Sequence, residues 1–246
     1  MKLDLHYTDP QLVALYDINN PRGINTDFYV QLAEDIKAKT IFDLGCGTGL
    51  LTRELAGNDR QVIGIDPSPA MLTYARQQAC ADSVLWKKGD ASVLGSPKAD
   101  LVLMTGNVVQ IFLDDSKWYA TLRAIYSALR QEGYIAFESR NPAAKAWENW
   151  NRESTYKLIK SPFGPVEYWL ELNSVSHNRV RFKSYYVFNK TGKVLEARSE
   201  LCFRSFNEIL NTLQEIGFCT KHVYGNWHRE PVTEESNVMI FIAQRC

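Results

Sequence analysis

The feature that most constrains this chain is a repeated unit. A short apolar run stops on a polar residue and gives way to a stretch that favours a helix. Thr40-Ile41-Phe42 ends in Asp43-Leu44, and Val62-Ile63-Gly64-Ile65 ends in Asp66-Pro67. Val84-Leu85-Trp86 leads to Gly89-Asp90, and Asp100-Leu101-Val102-Leu103-Met104 leads to Thr105-Gly106-Asn107. Tyr134 to Glu138 is followed by Ser139-Arg140-Asn141-Pro142. Between these runs, Leu50 to Ala56 and Ala70 to Gln78 read as helices, the second capped by Ser68 with Pro69 at its first position. Asp114 or Asp115 opens a further helix to about Arg130, which Gly133 stops. Alternating strands and helices dictate a parallel sheet covered on both faces. Right-handed crossovers place the strand C-termini on one edge, where such sheets bind ligands. Asp43, Asp66, Asp90, Thr105 and Arg140 are therefore expected to gather there.

The flanking segments differ in pattern. The first forty residues are polar and aromatic, with a turn at Asn19-Asn20-Pro21-Arg22-Gly23 and a helix from about Thr26 that puts Phe28, Leu32 and Ile36 on one face. From Tyr156 to Phe203 the period is two, as in Val180, Phe182, Tyr186 and Phe188, with turns at His177-Asn178 and Asn189-Lys190-Thr191-Gly192. That is an antiparallel meander inserted after the fifth strand. Ser205-Phe206-Asn207-Glu208 is a capping box, its helix ends at Gly217, and two last strands follow near Cys219 to Tyr224 and Val238 to Ala243. One domain over 1–246 is expected, with an N-terminal cap (1–38), a cofactor-binding half (39–142), an inserted β subdomain (147–204) and a completion of the sheet (205–246).

The turn Gly45-Cys46-Gly47-Thr48-Gly49 follows the first strand, where glycines let a ligand approach the backbone closely. A dinucleotide loop wants its third glycine three residues after the second. Here Gly49 comes two after Gly47, and Leu50 occupies the dinucleotide position. Asp43, two before Gly45, suits a ligand with an ammonium group, such as the methionine half of S-adenosylmethionine. Asp66 is placed to accept from both ribose hydroxyls. Asp90 is placed to accept from an adenine amino group, the Ala91 backbone N–H to serve a ring nitrogen, and Met71 to pack on the adenine face or simply in the core.

Taken in order and spacing over roughly 38–140, Asp43-Leu44-Gly45-Cys46-Gly47-Thr48-Gly49, Ile65-Asp66-Pro67-Ser68, Gly89-Asp90-Ala91 and Ala99-Asp100-Leu101-Val102 resemble the successive motifs of class I S-adenosylmethionine-dependent methyltransferases. The resemblance implies a Rossmann-like α/β fold with a seven-stranded sheet whose last strand is antiparallel. It also implies that Asp43 and the loop Gly45, Cys46, Gly47 and Gly49 hold the methionine part, Asp66 with Pro67 the ribose, and Asp90 the adenine. Thr105, Gly106 and Asn107 match more loosely, where the family places methionine or substrate.

Methyl transfer to a small-molecule acceptor by in-line displacement is the expected activity. An RNA methyltransferase and a non-catalytic S-adenosylmethionine-binding regulator are the alternatives. The formal net charge is zero and no RNA-binding module is visible, which argues against nucleic acid. After the fourth strand stands Thr105-Gly106-Asn107-Val108-Val109-Gln110, not the Asn/Asp-Pro-Pro-aromatic motif of amino-methylating nucleic-acid enzymes. No apolar run is long enough to span a bilayer. The five cysteines are scattered without metal spacing, so no metal site is expected, and free thiols in a cytoplasmic protein are the simpler reading. Asn107, Gln110, Arg140 and Arg229 are the candidates for binding substrate, the two arginines through a carboxylate or phosphate. His228, Asn107 and Arg140 are the candidates for a catalytic role. Tyr16 and Tyr29 either close over the cofactor or simply pack. Trp147, Trp150, Tyr168 and Trp169 form an aromatic group that either lines a pocket or glues the meander to the sheet.

Overall fold

The structure, a computed structural model, describes residues 3–57 and 59–246. Its larger sheet contains β1 (Thr40–Leu44), β2 (Gln61–Asp66), β3 (Val84–Lys88), β4 (Ala99–Met104), β5 (Leu129–Arg140), β10 (Phe218–Tyr224) and β11 (Val238–Arg245). The seven strands lie in the order β10-β11-β5-β4-β1-β2-β3. β1 to β5 pair in parallel, and β11 runs antiparallel to both β5 and β10. This is the expected methyltransferase-type sheet. The second sheet is the inserted meander, antiparallel in the order β6 (Lys157–Ser161), β7 (Gly164–Ser176), β8 (Arg179–Phe188), β9 (Lys193–Cys202).

Helices cover the large sheet as its two apolar faces require. α6 (Asp115–Ala128) and α8 (Phe206–Ile216) bury Trp118, Leu122, Ile125, Ile209 and Leu213 against one face. α3 (Ile24–Asp35) and α4 (Leu50–Leu55) bury Phe28, Tyr29, Leu32, Leu51 and Leu55 against the other. α5 (Pro69–Arg76) starts at the Ser68 cap, whose Oγ accepts from Met71 N at 3.2 Å. α8 carries the capping box and ends at Gly217, which has φ +108°.

Two helices precede the expected first one. α1 (Leu5–Thr8) and α2 (Pro10–Asn19) are capped by Asp4 and Asp9, and the Asp9 carboxylate accepts from Gln11 N and Leu12 N. They pack on the inserted sheet, where Leu12 and Leu15 join Ile159, Val166, Tyr186 and Phe188 in a core of their own. A further short helix, α7 (Arg152–Thr155), stands just before β6.

Two readings are corrected. Gly133 does not stop a helix: α6 ends at Ala128 and β5 begins at Leu129. Gly133 sits in a β-bulge, next to Glu132 at φ +63°, where the pairing with β4 shifts register. A Cβ there would lie 3.0 Å from the carbonyl oxygens of Ala99 and Arg130. The cysteines are not all free thiols. Cys219 and Cys246 form a disulfide with a Cα–Cα distance of 5.9 Å, while Cys46, Cys80 and Cys202 are free. Their 27-residue separation hides the pairing in the sequence; the antiparallel register of β10 and β11 brings them together. A thiol titration of the denatured protein should count three thiols before reduction and five after it. Five from the start would dispose of the disulfide.

Candidate active site

The C-terminal edge of the parallel strands collects the acidic residues as their positions require. Asp43 on β1 is buried, and its Oδ2 accepts from Thr52 Oγ1 of α4 at 2.5 Å. Its Oδ1 is buried with no hydrogen-bond partner among the described residues. Burial pushes the carboxyl up to about 7, and the charges of Asp66 and Glu138 add to the rise, against the Thr52 hydrogen bond. An orphaned buried carboxylate oxygen is expensive, so this one wants a cationic donor.

The glycine loop closes onto β2. Gly45 N and Cys46 N donate to the Ile65 carbonyl at 2.7 and 3.1 Å. Gly47 N donates to Asp66 Oδ2 at 2.9 Å, and Ser68 N to Asp66 Oδ1 at 2.7 Å. Each Asp66 oxygen keeps a lone pair for a further donor. Burial raises the Asp66 carboxyl above its usual range. The loop glycines differ in what they face. At Gly49 (φ +72°) a Cβ would fall 2.2 Å from Trp86 of β3, whereas at Gly47 (φ +56°) it would meet nothing within 4 Å. Open space at Gly47, whose N–H meets the Asp66 carboxylate, is a cradle. Cys46, half-buried in the same loop, has its thiol pushed well up by burial.

Gly89 N donates to the Asp66 carbonyl at 3.1 Å, which brings Asp90 next in line along the edge. Asp90 is exposed, and its Oδ1 accepts from Ser92 N at 2.9 Å, which holds its carboxyl below the usual range. Ala91 is buried and Pro67 half-buried. Met71 is fully buried in the core packing of α5.

Beyond β4, Thr105 is half-buried, Gly106 (φ +74°) has nothing within 4 Å of a notional Cβ, and Asn107 is held at φ +61°. Asn107 N donates to Glu138 Oε1 at 2.8 Å, and Asn107 Oδ1 is buried with no partner among the described residues. Glu138 also accepts from the Tyr29 hydroxyl, and burial raises its carboxyl. Tyr29 is thus a core brace for Glu138. The sequence reading passed over Glu138, although an acid inside an apolar strand was its signal. Arg140 NH1 donates to Gln110 Oε1 at 2.9 Å, and its guanidinium lies 5.7 Å from the Trp150 ring.

The N-terminal helices roof this edge. The Thr48 hydroxyl donates to Asp17 of α2, and the Ser68 hydroxyl to the Tyr7 carbonyl of α1. Tyr7 and Tyr16 feel the charges of Asp66 and Arg140, and burial pushes Tyr16 up to about 12, so both phenols stay protonated. On the far side Asp4 takes the Ser199 hydroxyl of β9.

Some candidates lie elsewhere. His228 is exposed, its backbone N donating to Asn226 Oδ1 at 2.9 Å. Arg229 pairs with Asp35 of α3 at 2.6 Å and covers the Phe28 ring. Neither contacts a residue of the edge. The tryptophans are not one cluster: Trp147 and Trp150 pack on Phe203, whereas Trp169 stacks on Tyr185. Among the described residues no group of His, Cys, Asp and Glu has the geometry of a metal site, and no helix is long and apolar enough to cross a membrane.

Comparison with known proteins agrees with this fold. Residues 41–133 match the family model of a methyltransferase domain. The chain is 25% identical over 224 residues to a putative methyltransferase of Geobacillus sp. (strain WCH70), covering 85% of each. It spans about half the length of other curated methyltransferases that it matches. Its fold is similar to that of an S-adenosylmethionine-dependent methyltransferase from Clostridium acetobutylicum, with a TM-score of 0.80 at 16% identity over 95% of this chain and 97% of that one. It is also similar to an S-adenosylmethionine-bound amino pentose methyltransferase from Micromonospora echinaspora, with a TM-score of 0.70 at 18% identity over 95% of both chains.

Proposed function

We propose that this chain, which belongs to the class I S-adenosylmethionine-dependent methyltransferases, methylates a small-molecule acceptor by in-line displacement in a chamber between its carboxylate edge, its N-terminal helices and its inserted sheet. The observation that carries the assignment of the cofactor residues is the orphaned Asp43 Oδ1, taken with the open space at Gly47. Asp43 takes the amino group of the methionine part, the loop of Gly45, Cys46, Gly47 and Gly49 lies along it, and Gly106 and Thr105 close its other side. Asp66 accepts from the ribose hydroxyls, with Pro67 fixing the exit of its strand. Asp90 and the Ala91 N–H read the adenine.

Bound S-adenosylmethionine supplies a methyl group already activated on a sulfonium. The residues of the chain then need only align the acceptor and keep water out, and positioning of this kind is worth roughly 7–11 kcal/mol. Asn107 Oδ1 and Gln110 orient the acceptor. His228 stands in an exposed loop, and the transfer proceeds with a nucleophile that needs no base from it. Several similar proteins are named for small acceptors, such as the amino pentose of the Micromonospora enzyme, which favours one here over the carrier-protein and peptide acceptors named for others. A neutral chain with a roofed site favours it over RNA. A cytoplasmic location belongs to the same reading, and the thiol count tests the one feature that runs against it.

Calorimetry with S-adenosylmethionine and with its demethylated product, S-adenosylhomocysteine, is the direct test. Both should bind at micromolar concentration. Absence of binding at high micromolar concentration sinks the proposal.

The pH dependence follows from Asp43. Its folded carboxyl ionises near pH 7, far above the usual range near 4, so the ligand-free protein holds a proton there that the unfolded chain has lost. The contribution of this group to stability is present at low pH and is lost as pH rises from about 4 to 7. A ligand ammonium needs the ionised form, so binding expels the proton. Affinity for S-adenosylhomocysteine should climb by up to tenfold per pH unit toward pH 7 and then level off. Asp43→Asn should bind weakly and without that slope. A flat wild-type profile from pH 5 to 7 would remove Asp43 from the amino-group site.

A further inference from the structure

Arg140 is a half-buried arginine on the carboxylate edge, and its pairing is unlike that of two buried arginines elsewhere in the molecule. Arg60 is buried and pairs with Glu34 at 2.8 Å, and Arg204 is buried and pairs with Asp115 at 2.8 Å. Arg140 has no carboxylate within ion-pair distance among the described residues; its protein partners are a neutral amide, Gln110, and the face of Trp150. Glu138, on the same face of β5, spends its oxygens on Tyr29 and Asn107 N. Gln110, wholly buried, keeps Nε2 without an acceptor. Removal from water disfavours the guanidinium charge enough to lower its pKa. A buried charge left unpaired is costly unless a ligand completes it.

The surroundings say which ligand. Glu138 of β5 is the main charge acting on Arg140, and the Trp150 ring beside it packs on Phe182 of β8 with ring centroids 4.6 Å apart. Arg140 therefore faces the side of the inserted sheet, where an acceptor would lie. A single guanidinium matches one negative charge, and its planar fork matches a carboxylate. The Trp150 ring offers a flat apolar wall.

Building on the methyltransferase reading above, we infer that the methyl acceptor is a monocarboxylic acid with a flat or apolar body, held through its carboxylate by Arg140. The residue binds the acceptor and positions it; it takes no proton from it.

The test uses protein saturated with S-adenosylhomocysteine and the probes benzoate, 4-hydroxybenzoate and phenylacetate, each against its primary amide, with phenyl phosphate as a further probe. Calorimetry should show at least one carboxylate bound tenfold or more tighter than its amide. Arg140→Gln should reduce that preference to less than twofold, Arg140→Lys should retain part of it, and affinity for S-adenosylhomocysteine should stay within about twofold in both. The melting temperature of ligand-free Arg140→Gln should match or exceed that of the wild type, because an unpaired buried charge has gone. The inference is overturned if no carboxylate binds, if amides bind equally well, or if phenyl phosphate binds more tightly than every carboxylate. It is also overturned if Arg140→Gln melts lower with its preference intact, or if that variant loses S-adenosylhomocysteine, which would give Arg140 to the cofactor's own carboxylate. Failure of the wild type to bind S-adenosylhomocysteine would instead sink the methyltransferase reading itself.

Discussion

Asp66→Ala should lower affinity for S-adenosylhomocysteine by a hundredfold or more and leave a folded protein. The carboxylate has two jobs at once. It would accept from both ribose hydroxyls, and charge-assisted bonds of this kind contribute about 1.5–3 kcal/mol each. It also holds the glycine loop, through Gly47 N at 2.9 Å, and the start of α5, through Ser68 N at 2.7 Å. Alanine leaves both N–H groups to water and lets the loop drift from the ligand. Asp66→Asn separates the two jobs. Its amide oxygen can keep one backbone N–H, but its NH2 group faces donors on the other side, so affinity should fall nearly as far while the fold is better preserved. Isothermal calorimetry and a melting curve measured together decide the matter. Affinity within threefold of wild type in both variants would reduce Asp66 to a helix cap.

The second large effect separates two glycines of one loop. Gly49→Ala should cost about 2–5 kcal/mol of stability, the sum of a left-handed backbone and an overpacked contact. Its Cβ would stand 2.2 Å from Trp86, a ring that the absence of side chains at Gly49 and Gly64 makes room for. Such a loss is a large share of the few kcal/mol that hold a typical domain together. Gly47→Ala has only the backbone cost, about 1–2 kcal/mol, because nothing lies within 4 Å of the new methyl. That methyl would instead occupy the space of the ligand, so S-adenosylhomocysteine affinity should fall at least tenfold in a protein that still melts cooperatively. Denaturant melts and calorimetry on both variants suffice. Equal stability losses would show that both glycines serve only the fold, and an unchanged affinity in Gly47→Ala would move the ligand elsewhere.

The parallel half was legible because burial leaves a sharp imprint on sequence. Runs such as Ile41-Phe42 and Val62-Ile63-Gly64-Ile65 have no other use, and an aspartate at the end of each must face a sheet edge. The same logic applied to Glu138, but a lone acid inside Tyr134 to Glu138 reads as the end of a strand that in fact continues to Arg140. Gly133 was misread because a glycine that ends a helix and a glycine in a bulge look the same without knowledge of the neighbouring strand; here the backbone of Ala99 excludes a side chain. α1 and α2 escaped because they are short and their apolar side chains face a distant partner, the inserted sheet. His228 and Arg229 stand in a loop near the correct edge, yet loop position does not tell where a side chain points. The ion pair with Asp35 takes Arg229 outward.

Leu12 and Leu15 share their apolar core with Ile159, Val166, Tyr186 and Phe188 and not with the large sheet. The molecule thus has two separately buttressed halves. One is a donor-side chassis whose strand ends tolerate little change. The other is a shell, drawn from the chain's beginning and its middle, that carries its own internal support. Side chains of the shell outside that shared core can be exchanged without loosening the chassis. A lineage built this way can trade one acceptor for another by drift in the shell alone, while the chemistry of methyl donation stays fixed beneath it.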